Sequence, residues 1–336
     1  MPILTSADAV RELYAEAAQR RWVLPCFCSE NLTTTEAVLA AATEYGQEHG
    51  MVDVPVTLAL TVNYPHRPQA INYTRTRDWR TGLALFRSEI EILAGPGGPF
   101  EKLRVLVHLD HVQPDEDSEL LAGDLSPYSS IMYDASTRPL EENIRMTADF
   151  VEKNRRSIVV EGACDEIKDA DGQLHDFITA PDMAEDYMKR TGVDLAVANL
   201  GTEHRASSQN LRYHGDAARL IRDRIGYRTV LHGTSSVPDT QVADLFADGI
   251  CKVNIWTILE RDASPVLLDD MVRNAVRVAG PAKVRELVEA GWLGSRALEE
   301  SGTSASLLHF TSMSRSEPVF EEMKRIVKRY LDLWYR

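Results

Sequence analysis

His108, Asp110 and His111 place a carboxylate among imidazoles at the end of an apolar run, Val105-Leu106-Val107. The run reads as a buried strand, and burial alone gives no reason for three titratable groups at its end. Such a group can move protons near neutral pH or hold a metal. Regular alternation sends His108 and Asp110 to one side of a strand and His111 to the other, unless the chain turns out of the sheet there. Polar residues end several other apolar runs. These are Tyr133-Asp134-Ala135-Ser136, Glu161, the segment from Asn199 to His204, His232-Gly233-Thr234-Ser235-Ser236 and Asn254-Ile255-Trp256-Thr257.

The elements that must carry these residues follow from the hydrophobic pattern. Ser6 or Asp8 can cap a first helix through about Arg20. Strands are predicted over 22–27, 54–60, from 105, and over 130–133, 157–161, 195–199, 229–231 and 250–253. Helices are predicted over 33–48, 79–94, 140–154, 181–191, 216–225 and 238–248. Eight strands alternating with helices are the signature of an α/β protein of the (β/α)8 TIM-barrel type. A doubly wound open sheet is the alternative. In a barrel the strand ends converge on one face, so His111, His204 and His232 would meet there. Three imidazoles with an open position have the composition of a catalytic zinc site. The polar stretch 61–78 looks like a long functional loop or lid. Helical patterns at 265–277, 281–290 and 318–336, with a loop over 302–316, extend a barrel that ends near 260. No second domain is expected within 1–336. His49, His66, His175, His214 and His309 fall in helices or loops and read as surface residues.

These blocks resemble the class II, metal-dependent fructose-bisphosphate and tagatose-bisphosphate aldolase family over most of 1–260. The resemblance rests on Val107-His108-Leu109-Asp110-His111 and on Ser130-Ile131-Met132-Tyr133-Asp134-Ala135-Ser136 with Glu141-Glu142-Asn143-Ile144 behind it. It rests also on Leu231-His232-Gly233 through Val237-Pro238-Asp239 and on Gly249-Ile250-Cys251-Lys252-Val253-Asn254. Phe27 and Asn31 match the family's first-strand pattern. The resemblance implies that His111, His204 and His232 bind zinc and that Asp110 moves the proton of a substrate hydroxyl. Asp134 and Glu161 then stand as accessory metal positions. Asn254 implies a contact to bound ketose, with Asn31, Gly233, Ser235 and Thr257 as further substrate positions. A homodimer or homotetramer is also implied. The chemistry is coherent: retro-aldol cleavage needs a base for the hydroxyl proton and an electron sink for the enediolate, and Zn²⁺ supplies that sink without a Schiff base. Lys252 would share a face with Asn254 on a regular strand, so parity alone does not exclude a lysine mechanism.

Departures from the family's pattern fall around the substrate. The family's Gly-Gly-Ser-Gly after the seventh-strand histidine is here Gly233-Thr234-Ser235-Ser236, where glycines would let backbone N–H groups approach a phosphate. Arg205 replaces a small residue, Ala163 replaces an acid, and Trp256 replaces a smaller side chain. Either Arg205 binds phosphate or carboxylate in place of the backbone, or the substrate is not a bisphosphate; the second is preferred. An epimerase or isomerase using the same metal and Asp110 is the alternative activity, and a non-catalytic partner subunit a further one. Tyr73, Asp165 and Glu166 are unranked candidates for a second acid.

Composition narrows the setting. Of 336 residues, 44% are hydrophobic and 26% charged, which is ordinary for a globular protein. A net charge of −14 disfavours nucleic-acid binding, which needs clustered Lys and Arg. No segment has the ~18 apolar residues of a membrane span. Cys26, Cys28, Cys164 and Cys251 read as small buried residues in a reducing cytoplasm.

Overall fold

A computed structural model describes residues 2–165, 178–202 and 213–335. Eight parallel strands pair in chain order and close into a barrel. They are β1 (Leu24–Cys28), β2 (Pro55–Thr61), β3 (Arg104–Val112), β4 (Ser130–Tyr133), β5 (Val159–Ala163), β6 (Leu195–Val197), β7 (Thr229–Leu231) and β8 (Ile250–Ile255). Pairing of Cys26 with Asn254 across β1 and β8 closes the ring and rules out the open sheet.

Both faces of the sheet are covered, which is why the strands carry long apolar runs. Helices hold the outer face. In Trp79–Ala94 the buried Leu83, Phe86, Ile90 and Ala94 recur at helical spacing. Asp78 caps that helix by accepting from the N–H groups of Arg80 and Thr81. Pro181–Thr191 begins with proline and ends at Gly192, whose φ of 71° is the left-handed conformation that favours glycine.

Three segments differ from the sequence expectation. The helix expected over 238–248 is one turn, Asp239–Val242, preceded by a 3-10 turn at Thr234–Ser236. Beyond it, Asp244 N–H bonds Gln241 O and Asp248 N–H bonds Asp244 O, so mixed spacings replace the regular helical ladder. Two prolines expected to open C-terminal helices instead lie inside them. Thr257–Arg273 starts directly after β8 and contains Pro265, and Ser312–Trp334 contains Pro318. Pro281 does open a helix as expected, after a break at Gly280, φ 80°, within Ala275–Glu289.

The last helix belongs to the barrel's outer shell. Its buried Met323, Ile326, Val327, Tyr330, Leu331 and Trp334 form one stripe, against helices Leu32–His49 and Thr257–Arg273. Tyr335 stacks on Trp22 at 4.7 Å, and its hydroxyl donates to Pro55 O. All four cysteines are free and buried. Among the described residues no helix is long and apolar enough to cross a membrane.

Candidate active site

β3 solves the parity problem at His111 with one extra residue. From Leu109 to Val112 it advances three positions while β4 advances two, from Ile131 to Tyr133. His111 takes the extra position with φ 46°, left-handed for a non-glycine residue. Asp110 keeps its inward direction, His111 joins it, and Val112 returns to the apolar core between sheet and helices. An unbulged strand would have sent His111 into that core.

Asp110, His111 and His232 are buried, and one donor atom from each lies within 4.8 Å of the others. His111 Nε2 is 3.1 Å from His232 Nδ1, and His232 Nε2 is 4.0 Å from Asp110 Oδ1. On its far side His111 Nδ1 donates to Asp134 Oδ2 at 2.7 Å, which leaves Nε2 with its lone pair toward the cluster. Asp134 is fixed in turn by Ser136, whose N–H and hydroxyl both donate to Oδ1. Tyr64 stacks on His111 with centroids 4.3 Å apart and planes 9° from parallel. Thr202 Oγ1 donates to His232 O and holds the β7 end from behind. Asn254 Nδ2 donates to Asp110 Oδ1 at 2.9 Å, and the Cys28 thiol donates to Oδ2 at 3.6 Å.

The electrostatics favour a cation here. Burial pushes the Asp110 carboxyl up, but His111, His108 and His232 outweigh it and hold it well below the usual carboxylate range. Burial likewise opposes an imidazolium at His111, yet Asp110 and Asp134 raise it above its ordinary value. Two imidazoles flanked by two buried carboxylates make a donor set that fits a divalent metal, with Asp134 orienting a ligand from outside.

Directly below lies a second polar layer, which meets the first where His108 Nε2 lies 3.6 Å from Asp110 Oδ1. Lys252 Nζ donates to both oxygens of Glu161, at 2.7 and 2.8 Å, and to His108 Nε2 at 3.0 Å. His108 Nδ1 in turn meets Ser130 Oγ at 2.8 Å. Burial alone would lower the Lys252 ammonium, but its anionic surroundings, Glu161 and Asp110 among them, raise it above its ordinary value. A fully paired cation is no amine nucleophile, so this geometry separates Lys252 from Schiff-base chemistry where strand parity could not. The same pair corrects the expectation for Glu161: both its oxygens face Lys252, and it takes no part in the histidine cluster.

One cavity opens on the cluster. Gly233, Ser235, Asn254 and Thr257 line it, as expected, beside Asp110, His111 and His232. Asn31 does not; its Oδ1 caps helix Leu32–His49 by accepting from Thr34 N–H, a role its position before a helix makes natural. Tyr73 packs edge-on to Phe86, and Asp165 accepts from Thr179 Oγ1; neither lines the cavity. His204, Arg205, Glu166 and His175 lie outside the described residues. Tyr64, His66 and Arg67 line the cavity although sequence reasoning singled out none of them for chemistry. The one available signal was the length of the polar 61–78 stretch. Gly233 has φ 67° and leads into the Thr234–Ser236 turn, where Thr234 Oγ1 donates to Asn254 O.

Fold and site together define a barrel enzyme with a histidine–carboxylate cluster at the carboxyl ends of its strands. Residues 8–333 match the family model for class-II fructose-bisphosphate aldolase, and the chain belongs to that family. It is 28% identical over 314 residues to the fructose-bisphosphate aldolase of Geobacillus stearothermophilus, covering 89% of this chain and 99% of that one. It is 27% identical over 261 residues to the D-tagatose-1,6-bisphosphate aldolase subunit GatY of Klebsiella oxytoca, covering 74% of this chain and 81% of that one. The crystal structure of Campylobacter jejuni fructose-bisphosphate aldolase shares the fold, with TM-score 0.74 and 16% identity over 99% of this chain and 95% of that one.

Proposed function

We propose that the protein is a metal-dependent aldolase that breaks or forms a C–C bond in a ketose, ketose phosphate or sugar acid. The observation that carries this reading is Asp110, a buried carboxylate within reach of two imidazoles and held by Asn254 at the mouth of a barrel. His111 and His232 would hold the metal, with His204 as third ligand by family resemblance, and imidazole donors suit zinc. Such an ion, when bound, supplies the electron sink for the enediolate fragment of a retro-aldol cleavage.

The chain's own groups do the rest. Asp110 takes the proton of the hydroxyl on the carbon that becomes the new carbonyl, and returns it in the reverse direction. Asn254 and Cys28 fix the carboxylate so that one oxygen does not swing away. Asn254 Oδ1 and Ser235 Oγ are buried without hydrogen-bond partners among the described residues, and both belong to residues lining the cavity. They are suited to substrate hydroxyls, since unsatisfied buried polar atoms are costly unless a ligand completes them. Gly233 and Thr257 complete the wall. Tyr64 covers one ring face of His111 and keeps water from it. This reading includes work in the cytoplasm, in carbohydrate metabolism, as a homodimer or homotetramer.

The test is a screen of ketoses, ketose phosphates and sugar acids with zinc-loaded protein, with both fragments measured. Asp110→Ala should retain the metal and lose turnover by about 10²-fold or more. Unchanged turnover would remove Asp110 from the mechanism. Conversion of a substrate to its epimer without fragments would replace the aldolase with an epimerase.

A further inference from the structure

The cavity mouth holds a guanidinium that the cluster chemistry does not use. Arg67 is the one Lys or Arg among the described residues lining the cavity. Its backbone is pinned, because Thr61 at the end of β2 donates its hydroxyl to Arg67 O. Thr61 N–H also donates to Gln69 Oε1, and Gln69 N–H returns a bond to Thr61 Oγ1. The loop is thereby clamped over the cavity at its base. The Arg67 guanidinium lies 4.6 Å from the centroid of the Trp256 ring, which also lines the cavity. Its fork is occupied in bidentate fashion by Glu30: Nε donates to Oε2 at 2.9 Å and Nη2 to Oε1.

Two further atoms beside this pair are unsatisfied. Trp256 Nε1 is a buried donor, and Glu260 Oε1 a buried acceptor, with no hydrogen-bond partner among the described residues. Burial raises the Glu260 carboxyl, and the Glu30 charge adds to it against Arg67. Glu30 and Arg67 also border an adjoining open groove with Arg75 and Arg77, where a released Glu30 carboxylate would meet other cations.

We propose that Arg67, seated on Trp256, is a specificity-determining residue that receives a terminal oxyanion of the substrate, phosphate or carboxylate, in exchange for Glu30. The bidentate Glu30 contact shows that the fork is presented in the geometry such a group needs. The Trp256 N–H is a second donor for it. This site lies at the cavity mouth, on the loop after β2, apart from the Gly233–Ser236 turn. It rests on the aldolase reading for the identity of the substrate, but not for the binding itself.

The test is calorimetric titration of zinc-loaded protein with sn-glycerol 3-phosphate, D-glycerate and glycerol. The wild type should bind at least one anion more tightly than glycerol, and the tighter anion identifies the oxyanion preferred. Arg67→Ala should weaken that anion roughly 10- to 100-fold and leave glycerol unchanged. Glu30→Gln should strengthen it, since the internal competitor is gone. A pair that serves only the fold would make both variants bind worse, and that result overturns the proposal. So does an anion affinity indifferent to Arg67, or no preference for anions over glycerol. Melting curves of both variants establish that each is folded. Arg67-dependent binding without cleavage of any ketose would sink the aldolase reading and leave this one standing; cleavage with no Arg67 dependence would do the reverse.

Discussion

At the scale of single residues, the site depends on which nitrogen of His111 faces the cluster. Asp134 decides this by accepting from Nδ1, and Ser136 holds Asp134 in place. Removing the carboxylate leaves the ring free to rotate and to change tautomer. Asp134→Ala should therefore lower metal affinity by about 10- to 100-fold while the protein still folds. Competition against a chelator of known affinity reads this directly, and unchanged affinity would show that stacking on Tyr64 suffices to orient the ring. His111, His232, Asp110 and Asp134 were legible in the sequence because polar side chains at the ends of apolar strands have no packing reason to be there. Arg67 and Tyr64 were not, since a loop carries no period from which a direction can be read. Glu161 was visible as an acid at a strand end, but its partner Lys252 lies 91 positions away.

At the scale of elements, two local devices aim the side chains. The first is the extra residue in β3, which turns His111 inward beside Asp110. The second is the clamp that Thr61 closes on the loop before helix Gln69–Asn72. That helix is itself held close to the next, because a Cβ at Gly82 would stand 1.9 Å from Ala70 O and 2.9 Å from Tyr73 Cβ. Gly82→Ala must push the two helices apart, so a destabilisation of about 1–3 kcal/mol is expected from overpacking. Denaturant melts measure that cost. Steady-state kinetics should show a raised KM as well, since the displaced segment carries Arg67 and Tyr64. A fully tolerated substitution would mean that the loop is positioned by the Thr61 clamp alone. The strand pattern predicted the eight strands to within a few residues. It overextended the short helix after β7 because turns with mixed spacing bury Leu245 and Phe246 as well as a helix would.

For the whole molecule, the barrel interior has two chemical layers. The upper one faces the cavity and holds the histidine cluster; the lower one is the Lys252–Glu161–His108 network, which reaches Asp110 through His108. Both charges of the lower pair are fully shielded from solvent. Lys252→Met should thus cost on the order of 3–5 kcal/mol, because it strands a buried carboxylate. The double variant Lys252→Met with Glu161→Gln should recover much of that loss. Chemical denaturation of the three proteins tests the asymmetry, and equal stability of single and double variants would show that Glu161 is not stranded. The C-terminal helix contributes at this scale too, since it packs on Leu32–His49 and anchors Tyr335 against Trp22.

The sequence by itself determined eight strands alternating with helices and the chemical character of the strand ends; closure into a barrel came from the pairing of β1 with β8. Eight apolar runs must be buried on both faces, and the polar residues at their ends must then lie where the runs stop. Only the tertiary structure decided which groups act together. The bulge at His111, the pairing of Lys252 with Glu161 below the cluster, and the seating of Arg67 on Trp256 all depend on contacts between segments distant in the chain. Hydrophobic periodicity reports burial, a property of one segment at a time; the partner of a buried charge is set by the strand or loop that closure of the barrel brings opposite to it.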